Sequence, residues 1–133
     1  MSIQHHPNFL RTVLRIDAAT CIATGLLMTL GTKPLSSLTQ LPPGLLSAAG
    51  LSLFPIAAFI VFVAARAPVW PFGVWLIIIG NVGWVLASVA LLLASAVSPN
   101  ALGVAFVIAQ AVAVAVLATL EVMGVRDVPA TAQ

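Results

Sequence analysis

One stretch restricts the fold of this chain more than any other. From Trp70 to Ala96 there is no charged side chain, and at its centre stands Asn81, within Gly80-Asn81-Val82-Gly83-Trp84. As a helix the stretch is long enough to cross a hydrocarbon layer of about 30 Å. At that depth every backbone N–H and C=O must be satisfied within the protein, which leaves only helices and closed barrels. No segment alternates apolar and polar residues as a barrel strand does, so the stretch reads as a helix. Its amide is costly without a partner, and something polar must face it.

The rest of the chain is of the same kind. Of its 133 residues, 62% are hydrophobic and 6% are charged, and the mean hydropathy is +1.19. A soluble globular domain is excluded on that composition. Apolar runs divided by turn residues place four spans at about 9–31, 44–65, 71–96 and 100–122. The first starts after Asn8 as a cap and ends at Gly31; the last starts at Ser98-Pro99, and Gly124 and Pro129 close it before a polar tail with Thr131 and Gln133. Between the first two spans Leu35, Leu38 and Leu41 recur three apart, which suits a short helical turn lying in the interface plane. Pro55 is expected to bend the second span. A turn through Pro68, Trp70 and Pro71 makes the second and third spans antiparallel neighbours. The expected fold class is all-α: a single transmembrane domain over 1–133, an integral membrane four-helix bundle with a short interfacial segment between helices 1 and 2.

Five basic residues stand against three acidic ones, too few and too scattered for a nucleic-acid partner. They do carry an orientation. Arg11, Arg15, Arg66 and Arg126 fall on one side of the four spans and Lys33 on the other, which places both termini in the cytoplasm. The basic start and first apolar run resemble a secretory signal, but without a small-x-small cleavage site followed by a soluble domain they read as an uncleaved anchor. The two halves show no internal repeat.

Few residues are equipped for chemistry. Cys21 is the single cysteine, and the two histidines, His5 and His6, lie outside every span. No metal site and no cofactor is expected, and no intramembrane haem has its ligands. Nucleophile–histidine pairs, paired metal-binding carboxylates and glycine-rich phosphate loops are all lacking. The remaining candidates are packing and polar groups. Gly73, Gly80, Ala87 and Ala94 recur every seven residues and Gly83 joins them, a seam of small residues for close helix approach. Asn81, Trp84, Ser88 and Ser95 form a second, more polar stripe.

Counting residues from the cytoplasmic ends puts Asn81 and Gln110 both near the midplane, as an Asn–Gln clasp between neighbouring helices. On the first span Asp17, Thr20, Cys21, Thr24 and Met28 share one face. Asp17 and Glu121 gather with Arg11, Arg15 and Arg66 near the cytoplasmic boundary, where ion pairs are expected. The sharper reading makes Asp17 or Glu121 a proton- or cation-responsive carboxylate.

Arg15-x-Asp17-Ala18 in the first span and Asn81-x-x-Trp84-Val85-Leu86-x-Ser88 in the third resemble a loose group of small uncharacterised bacterial inner-membrane proteins with four spans. The resemblance implies a four-helix integral membrane protein and no established activity. Small multidrug exporters are similar in span count but depend on a glutamate deep in the first span, where this chain has Thr24. Fluoride channels also have four spans, but their asparagine and phenylalanine pattern is not found here.

The function expected first is a non-enzymatic bacterial inner-membrane protein that acts in the lipid bilayer by helix packing, as an accessory subunit of a larger membrane complex or a homo-oligomer. Two alternatives follow from the polar residues. One is a dimeric small-solute or ion transporter lined by Asn81, Gln110 and Asp17. The other is a binding protein for an apolar ligand such as a quinone or isoprenoid, with Trp84 stacking and Asn81 fixing a carbonyl.

Overall fold

The computed structural model describes residues 8–95 and 97–127. Those residues form an all-α fold of five helices: α1 (Phe9–Leu30), α2 (Thr32–Thr39), α3 (Pro43–Ala65), α4 (Pro71–Leu93) and α5 (Ala101–Arg126). All except α2 are long and apolar enough to cross a membrane, which makes this a multi-pass membrane protein. Its outer surface has the same character. Leu30 is 82% exposed and Leu93 79%, an apolar surface suited to lipid. The His5–His6 pair, Ala96, Pro129, Thr131 and Gln133 lie outside the described residues.

Three helix ends differ from the sequence expectation. Ser95 adopts a left-handed conformation with φ 56°, and α4 has already ended at Leu93. The start of α5 is capped by Asn100, whose side-chain oxygen accepts the Gly103 N–H at 2.8 Å, and not by Ser98. At its far end α5 does not stop at Gly124. That glycine is buried against α1, where a Cβ would stand 3.0 Å from the Leu10 side chain, and the helix continues two residues further to Arg126. Pro55 is accommodated within a continuous α3.

Close backbone approach sets the packing. α1 lies along α3, where Gly25 and Gly50 face each other: a Cβ on Gly50 would meet the Met28 Cβ at 2.8 Å. α4 lies along α5, and α1 against α5. Around the bundle the order is therefore α3, α1, α5, α4. Despite the short turn between them, α3 and α4 touch little. They meet near that turn, with Gly73 against Val63 and Trp70, and then diverge. The expectation that the second and third spans are packed neighbours fails along most of their length, because α1 and α5 take the partners' faces.

α2 is a full helix packed against α5 and α3. Leu35 packs on the core and Leu41 is buried, whereas Leu38 points outward. Asn100 holds α2 in place: its side-chain N–H donates to the Leu38 carbonyl at 2.8 Å and its backbone N–H to the Thr39 carbonyl at 3.1 Å. At the opposite end Arg11 donates to the carbonyls of Ala64 and Arg66, each at 2.8 Å, and so satisfies the C-terminus of α3.

Candidate functional site

The feature that demanded a partner has two. Asn81, 7% exposed at the middle of α4, donates one amide hydrogen to Asp17 Oδ2 at 2.9 Å and the other to Glu121 Oε1 at 2.8 Å. Asp17 comes from α1 and Glu121 from α5, and they are 2% and 0% exposed. Three helices thus converge on one polar group within an apolar interior. Asp17 Oδ1 also faces the Cys21 thiol at 3.8 Å, while Glu121 Oε2 is buried with no hydrogen-bond partner.

Among the described residues neither carboxyl has a basic partner, so the ion pairs expected with Arg11, Arg15 and Arg66 do not form. Arg11 serves the end of α3, as above. Arg66 lies over the rings of Phe62 and Trp70, 5.6 Å and 5.3 Å from their centroids. Arg15, Lys33 and Arg126 are exposed. The reason is reach and direction: the arginines sit at the helix ends, whereas Asp17 and Glu121 point inward between helices. Among the described residues no group of three His, Cys, Asp or Glu side chains could hold a metal ion.

The expected Asn81–Gln110 clasp is also corrected. Gln110 Oε1 accepts the indole N–H of Trp84 at 2.6 Å, and its Nε2 donates to Ser88 Oγ at 3.0 Å and to the Val107 carbonyl at 2.8 Å. Ser88 in turn donates to the Trp84 carbonyl at 2.8 Å. The error is one of register. Because α5 runs on past Gly124, Gln110 lies sixteen residues, about 24 Å, from its end. Glu121, eleven residues and about 16 Å further along α5 than Gln110, is the side chain that stands level with Asn81, while Gln110 reaches Trp84 and Ser88. The polar stripe on α4 is real, but it serves two separate groups.

Both groups border one cleft. It occupies about 670 Å³ between the diverging α3 and α4, with α1 and α5 behind it. Asp17 and Asn81 form part of its floor, and Trp84 and Gln110 border it further along. Its walls are apolar, with Leu53, Ile56 and Phe59 from α3 and Leu76, Phe106 and Val114 from the other helices. Ile56 and Leu76 are 39% and 42% exposed, so the cleft opens sideways toward the lipid-facing surface. Its volume lies within the range of small-molecule sites.

The seam of small residues behaves differently from expectation within the chain. Only Gly73 is in close contact; a Cβ at Gly80 or Gly83 would meet nothing within 4 Å. Gly80 borders the cleft, and Gly83, Ala87 and Ala94 are exposed. The close approaches are instead at Gly25, Gly50, Gly103 and Gly124. Nothing in the apolar sequence distinguished the cleft walls, since Ile56, Phe59 and Phe106 have the same residue type as their lipid-facing neighbours. No family model, curated protein or solved structure matches the chain.

Proposed function

We propose that this chain is a binding protein of a bacterial inner membrane, with both termini cytoplasmic, that takes a lipophilic ligand into the cleft between α3 and α4. The observation that carries the reading is the cleft itself: about 670 Å³, apolar walls, a sideways opening and a buried polar floor at Asp17 and Asn81. Pure packing glue needs no such space, and close-packed interiors leave few voids of this size. A ligand dissolved in the bilayer reaches the opening without crossing water. Of the alternatives read from sequence, a quinone-type carbonyl on Asn81 is the less favoured, because both amide hydrogens are already engaged.

The test uses Gly80. Its position has open space where a Cβ would be, so Gly80→Leu fills the cleft without a clash in the bundle. A diazirine-bearing alkyl alcohol should label the wild-type protein on cleft residues of α3 and α4, and Gly80→Leu should lose most of that labelling while keeping its thermal stability. Equal labelling of both proteins at the same residues would overturn the reading.

A second reading rests on a separate observation, the exposed small side of α4 at Gly83, Ala87 and Ala94. That side is available to a second copy or to a larger complex. Ala87→Cys in a Cys21→Ser background should then cross-link at a discrete mass in native membranes, and a monomer throughout would count against it.

A further inference from the structure

Among the described residues the cleft floor has an excess of hydrogen-bond acceptors and no cation. The acceptors are the Asp17 carboxyl and the side-chain oxygen of Asn81, which takes no donor among the described residues, and behind them stands Glu121 Oε2, buried and unpartnered. The groups facing this point are Asp17 and Cys21 from α1, Asn81 from α4 and Glu121 from α5; α3 has no titratable residue in its sequence. All five lysines and arginines are exposed or engaged elsewhere.

Two ionised carboxyls, bridged by one neutral amide and remote from any base, repel strongly in a medium of low dielectric. One proton held between them leaves a single negative charge. An incoming head group that carries its own positive charge and N–H donors does the same work and also satisfies the Asn81 oxygen.

We propose that the Asp17–Asn81–Glu121 group is a cation-exchange site, which releases the proton held by its two carboxyls when a lipophilic ligand seats a protonated amine on the cleft floor. The ammonium keeps its own protons. One proton passes from the carboxyl pair to water for each cation bound, so the charge of the site does not change. Asn81 is the fixed element, holding both carboxyls in place through its two N–H groups while its oxygen remains for the ligand. Trp84 and Gln110 satisfy each other and leave the charge selection to the floor. The inference rests on the cleft being a ligand site, and its test separates the two.

Two probes of one shape make the separation: 1-adamantylammonium, and its neutral counterpart 1-adamantanol, each titrated into the purified full chain in detergent. The amine should bind at least tenfold more tightly than the alcohol near neutral pH. Its affinity should rise about tenfold per pH unit while the site still holds its proton, and a pH-indicator dye in weak buffer should register close to one proton released per amine bound. The alcohol should bind with no pH dependence and no proton release. The double variant Asp17→Asn, Glu121→Gln should keep alcohol binding and lose both the preference for amine and the proton release. Equal, pH-independent binding of the two probes by the wild-type protein would overturn the exchange and leave the cleft reading standing. Binding of neither probe would overturn both.

Discussion

At the residue scale, the behaviour of Asn81 follows from its having two hydrogens and two acids to receive them. Replacing it by leucine leaves Glu121 buried without a donor and Asp17 with only the Cys21 thiol, so Asn81→Leu should destabilise the bundle by at least about 2 kcal/mol. The measurement is a denaturation midpoint in detergent micelles, followed by tryptophan emission. Gln110→Leu removes the acceptor of the Trp84 indole and should cost about 1 kcal/mol, with a shift in the emission maximum that Asn81→Leu does not produce. Because Asn81 and Gln110 share no partner, their double variant should be additive within about 0.5 kcal/mol. A coupling well above that value would reinstate the direct clasp between them.

At the element scale, helix contacts depend on which glycines lie at crossings. Gly103 is pressed against α2, where a Cβ would collide with the Thr39 carbonyl, and Gly50 is pressed against α1 at the Met28 Cβ. At Gly83 there is open space. Gly103→Ala and Gly50→Ala should each lower the thermal midpoint of the purified protein, because neither a carbonyl nor a Cβ can yield as the far end of a flexible side chain does. Gly83→Ala should be neutral or stabilising by up to about 1 kcal/mol, since alanine is the better helix former. If Gly83→Ala were the most damaging of the three, the seam on α4 would be a contact inside the chain after all.

At the scale of the whole molecule, the helix order decides both the cleft and the distribution of charge. Arg11 bonds the end of α3, and Leu10 packs on Gly124 near the end of α5. Arg11, Arg66 and Arg126 therefore share one end of the bundle, with α2 and Lys33 at the other. A periplasm-active reporter fused after Gln133 should be silent and the same reporter inserted after Ser37 active, in keeping with the bias of basic residues toward the cytoplasm. The opposite pattern would invert the orientation but not the fold.

How much of this was legible without coordinates depended on the range of the interaction. Four apolar runs and their Gly and Pro boundaries are local, and the solvent they require follows from backbone hydrogen bonding alone, so the all-α fold was determined by the sequence. So was the need of Asn81 for a polar partner, although the sequence pointed to Gln110 for that role and to arginines as the partners of Asp17 and Glu121. Which partner it took was not local. Counting from approximate helix ends does not fix which residues stand level across a bundle, and an isolated apolar helix carries no mark of the face its neighbours will cover. Only the tertiary structure decided that α1 and α5 fill the centre, that α3 and α4 part, and that the amide joins two acids on the floor of the cleft between them.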